Sequence, residues 1–183
     1  LSKTLPRTEV ILPRKTVLEL SRLLEDNDEE LDIRLSSNQA VFRFGDIELV
    51  SKLIDGKFPD YERVIPQNHN KVITVPRTAL LQSLHRAAIL TNEKFRGVRV
   101  VLASGILKII SSNADQEEAQ EELEVSYDAE ALDIGFNVTY LLDVLNNVSN
   151  EEVEIRLADA NSSALITLPG NDSFKYVVMP MRI

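Results

Sequence analysis

The pattern of apolar and polar positions along the chain repeats three times. Each repeat contains an amphipathic helix signal, a polar turn and two short runs of alternating apolar and polar residues, which is typical of a helix followed by a β-hairpin. The helix signals lie at 13–24, 76–88 and 137–147, and the hairpin strands at 31–35 with 40–44, 98–102 with 106–110, and 153–157 with 164–168. A further extended run closes each repeat, at 48–54, 122–127 and 174–179. The sequence therefore predicts an α+β fold built from one repeated unit, with helices on one side and antiparallel sheets on the other.

The segment between the first two repeats predicts a domain boundary. Residues 58–70 contain Pro59, Pro66 and a polar stretch at 67–70, and they show no helical period. Proline and clustered polar residues are typical of connecting segments. We place the boundary near residue 68, so that 69–183 holds two repeats and forms one complete domain. By the same logic 1–68 holds one repeat, or half of such a domain.

Each predicted helix has an apolar and a polar face. Pro13 and Pro76 suit the first turn of a helix, and each follows an extended apolar stretch. The first helix places Val17, Leu20 and Leu24 on one face and Lys15, Glu19, Arg22 and Asp26 on the other. The second has an apolar stripe of Leu80, Leu81, Leu84, Ala87 and Ala88, with Gln82, Ser83, His85 and Arg86 outside it. We expect the apolar faces to pack against the sheets and the polar faces to meet water or a polar partner.

Composition and charge limit the classes of function. The 183 residues are 44% hydrophobic, which is ample for a packed core, and the chain has no cysteine for disulfides or thiolate chemistry. The net charge of −9 disfavours a surface that binds nucleic acid everywhere, so any phosphate contact must be local. No apolar run is long enough to cross a membrane and no secretory signal is visible, so we expect a cytoplasmic protein without a membrane partner. Because the chain starts at Leu1 without methionine, we expect a fragment of a longer protein.

Catalytic patterns are weak throughout the sequence. His69 lies in the predicted linker and His85 on a helix, and neither has the spacing of a metal ligand or a catalytic triad. Gly45 belongs to a turn and Gly135 is a single glycine, so no phosphate-binding loop is present. We expect no enzyme activity, no metal and no cofactor.

Four segments resemble one known family. They read DGKFPDYERVIP at 55–66, LTNEKFRGVRV at 90–100, IGFNVTYLLDVLN at 134–146 and YVVMPMRI at 176–183. In this order, and almost from end to end of the chain, they resemble the bacterial sliding clamp, the beta subunit of DNA polymerase III. The resemblance implies the DNA clamp fold, in which three domains of two repeats form a crescent and two crescents close into a ring around duplex DNA. It further implies that 1–68 is the C-terminal half of the middle domain and 69–183 the complete C-terminal domain.

The function implied by the resemblance is that of a replication processivity factor. A ring around double-stranded DNA tethers the polymerase, which converts a bimolecular encounter into an effectively intramolecular one. The implied partners are non-specifically bound duplex DNA and the polymerase, clamp loader and repair proteins that dock through short peptide motifs, with a homodimer in the full-length protein. A repeat-built peptide-binding scaffold that does not encircle DNA is the alternative, and a hydrolase is a third hypothesis.

The resemblance places the peptide-binding cleft at the end of the chain. Val177, Val178 and Met179 begin an apolar C-terminal segment, and methionine adapts well to surfaces that bind many partners. The implied cleft residues are Pro59, Arg63, Val64, Asn137, Tyr140, Ser163, Val177, Val178, Met179, Pro180, Met181 and Arg182. The alternative interpretation is a final strand that only packs into the core.

Two further surfaces are implied by the resemblance. The residues facing DNA are Arg14, Lys15, Arg22 and Arg86, for which a solvated helix face of mixed charge is the alternative. The residues at the ring interface are Ile89, Leu90, Glu117, Glu118 and Glu121. For these the alternatives are core packing of Ile89 and protection of an edge strand by the glutamates.

Overall fold

The protein folds into two compact units, Leu1–Asp60 and Tyr61–Ile183. The computed structural model describes residues 7–24 and 30–183. The predicted boundary near residue 68 lies inside the second unit, in the loop before its first strand. Residues 58–70 have no period, and therefore no local pattern marks a sharper position within them.

The first unit contains one repeat. It consists of α1 (Arg14–Leu23), β1 (Asp32–Leu35), β2 (Gln39–Phe44) and β3 (Ile47–Lys52). The strands form an antiparallel sheet in the order β1-β2-β3, joined by hairpins in which Leu35 pairs with Ala40 and Phe44 with Ile47. The predicted helix and strands of this repeat are confirmed.

The packing of α1 differs from the prediction. The buried residue of this helix is Thr16, whose Oγ1 lies 2.6 Å from Oγ of Ser51 on β3, whereas Val17 and Leu24 are exposed. Among the described residues of the first unit, no element covers the apolar face of α1. The periodicity identifies the apolar face correctly, but not whether anything packs on it. Asp26, predicted on the polar face, lies outside the described residues.

The second unit contains two repeats. The first is β4 (Lys71–Pro76), α2 (Arg77–Ile89), β5 (Gly97–Ala103), β6 (Ile106–Ser112) and β7 (Glu118–Glu124). The second is β8 (Leu132–Asn137), α3 (Val138–Asn146), β9 (Glu152–Leu157), β10 (Ala164–Leu168) and β11 (Asn171–Val178). The predicted helices and hairpins of both repeats are confirmed.

Two strands of the second unit depart from the prediction. β8 is absent from the predicted elements, although Leu132, Ile134 and Phe136 alternate with exposed or half-buried residues and are buried. β7 begins and ends earlier than the predicted run at 122–127. It ends at Glu124 because Val125 N donates to the Gly105 carbonyl in the β5–β6 turn, and Gly105 N donates to the Tyr127 carbonyl. These residues thus close over the turn instead of extending the sheet ladder.

The two repeats of the second unit exchange strands. The sheets have the orders β11-β10-β9-β4 and β7-β6-β5-β8. The lead-in strand of each helix, β4 before α2 and β8 before α3, therefore pairs with the sheet of the other repeat. Both sheets and both helices share one hydrophobic core, in which Ile73, Leu84 and Leu145 are among the largest fully buried side chains.

Polar contacts fix the ends of the helices in this unit. The Asn137 side chain accepts a hydrogen bond from Thr139 N at 2.9 Å and so caps the start of α3. Arg77 at the start of α2 donates from Nη1 to the Leu145 carbonyl at 3.0 Å and from Nε to the Asn150 carbonyl at 2.9 Å. A cation at these carbonyls satisfies acceptors that a helix C-terminus leaves open, so Arg77 joins the two helices.

Ser83, predicted outside the apolar stripe of α2, is buried. Its hydroxyl accepts a hydrogen bond from Arg86 Nη2 at 3.2 Å, which lets a small polar side chain enter the interior.

None of the helices in the described ranges combines the length and apolar character needed to span a membrane.

Candidate functional site

The C-terminal tail, residues 179–183, lies across one sheet of the second unit. It follows β11, and Met181 N donates a hydrogen bond to the Gly135 carbonyl on β8 at 2.8 Å. Gly135 pairs with Arg99 on β5, and Gly97 on β5 pairs with Asn137. Since Ile134 and Phe136 point into the core, Gly135 and the tail lie on the face of the sheet away from the helices.

Two glycines make room for this tail. A Cβ at Gly135 would lie 2.4 Å from the Met181 carbonyl oxygen and 2.9 Å from Cδ1 of Ile183. A Cβ at Gly97 would lie 3.2 Å from the same Ile183 atom. Glycine within a strand often marks a close approach of another backbone. The absence of a side chain at Gly135 therefore permits the observed position of the tail.

Burial changes abruptly where β11 ends. Val178 is 2% exposed and belongs to the core, whereas the next residue, Met179, is 70% exposed. Val177, Pro180 and Met181 are partly buried and Arg182 is exposed. Core packing, the alternative interpretation of this segment, thus applies to Val178 and not to Met179. An exposed methionine next to a buried strand end offers apolar area to a ligand.

Several predicted cleft residues lie near the end of β11, where Met179 follows Val178. Ser163 precedes Ala164, which pairs with Val178, so the hairpin register brings Ser163 next to Met179. Tyr140 is exposed in the first turn of α3, near enough to Tyr176 on β11 to influence its pKa. Burial raises the pKa of Tyr176, with smaller contributions from the nearby Asp143 and Tyr140. The structure therefore brings Tyr140 and Ser163 close to the end of β11, where the tail begins. Asn137 lies at the start of α3, which its side chain caps.

The loop before β4 approaches the same region. Val64 is exposed after the short helical turn Tyr61–Arg63, and a ring nitrogen of His69 lies 3.2 Å from the Ser163 carbonyl oxygen. His69 is half-buried in this contact and is not the exposed histidine that a linker position suggests. Pro59 is exposed and belongs to the first unit.

The predicted DNA-facing residues fall into two groups. Arg14, Lys15 and Arg22 are exposed on α1, and Arg22 Nη1 lies 3.4 Å from Glu19 Oε1. Arg86 on α2 instead donates two hydrogen bonds to Glu121 on β7, at 2.8 and 2.6 Å. The hydrogen bond from Arg86 lowers the pKa of Glu121. Three of the four cations are thus exposed on α1, while Arg86 is paired.

The predicted ring-interface residues lie at one edge of the second unit. Ile89 at the end of α2 is 79% exposed, which rules out the alternative of core packing, and Leu90 is half-buried. Glu117 and Glu118 are exposed at the start of β7, which is an edge strand as predicted. An exposed isoleucine near an acidic edge strand has the character of a contact surface.

Sequence reasoning missed Gly97, Gly135 and Phe95 in this region. Phe95 is exposed, and its carbonyl oxygen lies 3.5 Å from Nδ2 of Asn137. The available signal was glycine at outward positions of otherwise apolar strands.

In the part of the chain that the structure describes, no group of three or more His, Cys, Asp or Glu residues is placed to hold a metal ion.

Comparison with known proteins agrees with this architecture. The family model for the C-terminal domain of the DNA polymerase III beta subunit matches residues 62–182, and the model for its central domain matches residues 1–60. The beta sliding clamp of Pseudomonas putida is 51% identical over 177 residues, which cover 97% of this chain and 48% of that protein. The beta sliding clamp of Escherichia coli is 46% identical over 183 residues, which cover 100% of this chain and 50% of that protein.

A solved structure shows the same fold. The crystal structure of the DNA polymerase III subunit beta from Pseudomonas aeruginosa superposes with a TM-score of 0.88 at 50% identity, covering 95% of this chain and 48% of that one. The repeated helix and hairpin units, together with this likeness, define a protein with the α+β clamp fold. The chain belongs to the DNA polymerase III beta subunit family. It spans about half the length of the curated relatives it matches.

Proposed function

We propose that this chain is a segment of a replication sliding clamp, a non-enzymatic processivity factor that acts in the cytoplasm. The whole protein is a homodimeric ring that encircles double-stranded DNA and docks the polymerase, clamp loader and repair proteins through short peptide motifs. Residues 1–68 supply the C-terminal half of the middle domain and 69–183 the C-terminal domain. Family membership and the clamp fold support this assignment.

The observation that carries the docking function is the exposure of Met179 beside the buried end of β11. The tail is held against Gly135, so Met179 is presented by a fixed backbone and not by a free end. Tyr140 and Ser163 add an aromatic side chain and polar groups next to it. A short peptide with apolar side chains and free backbone groups fits such a surface. The remaining implied cleft residues of the second unit extend this surface.

Fluorescence anisotropy with a labelled peptide tests the docking. The peptide begins with glutamine and ends in Leu-Phe, and it is titrated with the intact chain. We expect saturable binding that is lost when residues 179–183 are removed. We expect Met179→Ala to weaken binding about tenfold, because about 1.4 kcal/mol of apolar contact is lost.

Val72→Ala is the matched control. Val72 is an exposed apolar residue on β4, at the opposite edge of the sheet from β11. This variant should bind the peptide with unchanged affinity. Equal affinities of the Met179→Ala and parent chains, or no binding by the intact chain, would contradict docking at the tail.

The DNA contact is non-specific in this proposal. Exposed Arg14, Lys15 and Arg22 on α1 touch phosphates weakly, because tight or base-specific contacts would stop a ring from sliding. Arg86 contacts phosphate only when its hydrogen bonds to Glu121 are broken. Binding to duplexes of different sequence should be equally weak. Replacing the three α1 cations by alanine should flatten the slope of log K against log salt by about 0.9 for each phosphate contact removed.

The ring contact uses the edge formed by Ile89, Leu90, Glu117, Glu118 and Glu121. The exposure of Ile89 and the edge position of β7 support this part of the proposal. In a full-length protein, Ile89→Lys should open the ring and shorten its residence on circular DNA. Unchanged residence would contradict the assignment of this edge.

A further inference from the structure

The loop between β9 and β10, residues 158–163, is held at both ends by side chains from the start of the second unit. A ring nitrogen of His69 lies 3.2 Å from the Ser163 carbonyl oxygen, and Lys71 Nζ donates to the Ala158 carbonyl at 3.1 Å. Since a carbonyl oxygen only accepts, His69 is the donor in its contact. One hydrogen bond thus lies where β9 has just ended and the other where β10 is about to begin.

Lys71 carries a buried charge. Its side chain is 8% exposed, on a strand position that pairs with Leu157 of β9. A buried ammonium needs hydrogen bonds or an opposite charge to offset the loss of water. Besides the Ala158 carbonyl, Nζ has Asn70 Oδ1 at 3.4 Å and a carboxylate oxygen of Glu130 at 3.9 Å, on a side chain that is 89% exposed. The shortest contact is the one to the loop, so the burial of Lys71 and the position of Ala158 depend on each other.

The interior of the loop forms its own turn around Asp159. The Asp159 carboxylate accepts hydrogen bonds from Asn161 N at 2.8 Å, Ser162 N at 2.9 Å and Ser162 Oγ at 2.8 Å. The Ser162 hydroxyl is the largest cause of the lowered pKa of Asp159, and the charge of Lys71 acts in the same direction. The loop is therefore a formed turn, and the contacts at its two ends set where it lies.

The position of the loop matters because of its last residue. Ala164 pairs with Val178, which brings Ser163 next to Met179 on the candidate docking surface. The hydrogen bond of the tail to the sheet fixes the Met179 side of this surface, and the contact from His69 fixes the Ser163 side. A surface held in its bound geometry before the ligand arrives binds more tightly, because less ordering remains to be done.

We propose that His69 and Lys71 are positioning residues for the docking surface, and that they hold the loop so that Ser163 is presented beside Met179. This inference rests on the docking function proposed above and adds the residues that organise it from outside the surface. Apparent affinity falls in proportion to the fraction of molecules in the binding geometry. If about one molecule in three keeps the loop in place after one contact is lost, the peptide binds about threefold more weakly.

A pair of His69 variants tests the hydrogen bond directly. Glutamine has an amide nitrogen that can donate to the Ser163 carbonyl, whereas leucine has no donor. In the anisotropy titration with the labelled glutamine-led peptide, His69→Leu should bind about threefold more weakly than the parent chain. His69→Gln should keep the affinity of the parent. The matched control is His85→Leu, the same change at an exposed histidine on α2, and it should also bind like the parent.

Lys71→Met tests the other end of the loop. Methionine keeps an unbranched stem but removes the charge and the donors, and replacing a buried charge by an apolar side chain is often neutral for stability. We expect about threefold weaker peptide binding. We also expect hydrogen exchange at the amides of Asn161 and Ser162 to be about threefold faster, with unchanged exchange in the β10–β11 ladder. Circular dichroism shows whether each variant is folded.

The outcomes separate this proposal from the docking function. Folded His69→Leu and Lys71→Met chains that bind the peptide like the parent would overturn the positioning role and leave docking intact. Equal weakening by His69→Leu and His69→Gln would reduce His69 to a packing residue and overturn its part. A parent chain that binds no peptide contradicts the docking function itself, and hydrogen exchange in the two variants then shows separately whether the contacts hold the loop.

Discussion

Replacing Gly135 by alanine is the sharpest perturbation of the candidate site. The new Cβ would lie 2.4 Å from the Met181 carbonyl oxygen, a backbone atom, and 2.9 Å from two carbons of the Ile183 side chain. Ordinary contact needs about 3.4 Å, so the tail backbone must move by about 1 Å. A shift of that size also breaks the 2.8 Å hydrogen bond from Met181 N to the Gly135 carbonyl.

The magnitude follows from these two effects. Overpacking a close contact costs about 1–3 kcal/mol and a lost backbone hydrogen bond about 1 kcal/mol. If the tail detaches, the steric overlap is relieved but the hydrogen bond is lost. We therefore expect the free energy of unfolding of the second unit to fall by about 2 kcal/mol. If about one molecule in ten keeps the tail in place, peptide affinity falls about tenfold.

Urea denaturation and peptide anisotropy measure both losses, and a double-mutant cycle isolates the cause. In a chain that lacks residues 179–183, nothing from the tail lies over Gly135, so Gly135→Ala should be neutral or slightly stabilising, as alanine is in a strand. Gly97→Ala is the graded control, because its Cβ would meet side-chain atoms and no backbone, with Ile183 Cδ1 at 3.2 Å and Met181 Cε at 3.7 Å. We expect it to cost less than about 1 kcal/mol. If Gly135→Ala in the intact chain keeps the parent stability and affinity, the steric explanation of the tail's position is wrong.

Two further predictions concern the second unit. Arg77→Ala should reduce the free energy of unfolding by about 2 kcal/mol, because the carbonyls of Leu145 and Asn150 lose a charged donor; chemical denaturation measures it. Glu121→Gln should lower the melting temperature at neutral pH, since the hydrogen bond from Arg86 depresses the pKa of Glu121 below its ordinary value of 4.5. A depressed carboxylate pKa stabilises the fold above the unfolded pKa and loses that effect as pH falls through the folded value. The difference between Glu121→Gln and the parent should therefore shrink below about pH 4.5 and with added salt.

Matched variants separate these effects from general damage. Thr78→Ala alters the exposed neighbour of Arg77 and should leave stability unchanged. Arg77→Lys should restore only part of the loss, because one ammonium does not reproduce the guanidinium fork. For Glu121, the control is Glu117→Gln on the same acidic segment, whose melting temperature should stay at the parent value at neutral pH. A Glu121→Gln difference that persists at low pH would contradict the ion-pair explanation.

Sequence reasoning located most elements of the fold, and its errors have a common form. The helices and hairpins are predictable because their signals are local: the period of apolar residues, proline at a helix start and polar residues at a turn. β8 escapes prediction because its short alternating run merges with the helix signal that follows. Ser83 falls outside the predicted stripe because periodicity does not reveal that Arg86 lies within reach of its hydroxyl.

The candidate site was predictable only through the family resemblance. The apolar residues at the chain end draw attention to it, but periodicity alone leaves a core strand as the competing interpretation. Burial separates Val178 from Met179, and that change occurs between adjacent residues. The roles assigned to the cleft, DNA-facing and ring-interface residues remain predictions.

Short-range periodicity and turn chemistry encode the repeated α+β unit, the antiparallel hairpins and the apolar face of each helix, so these features can be read from the chain alone. What covers each face depends on the folded arrangement. There β4 and β8 are exchanged between the repeats, Arg86 pairs with Glu121, and the tail lies over Gly135. These contacts join residues far apart in the chain, where no local pattern specifies the partner.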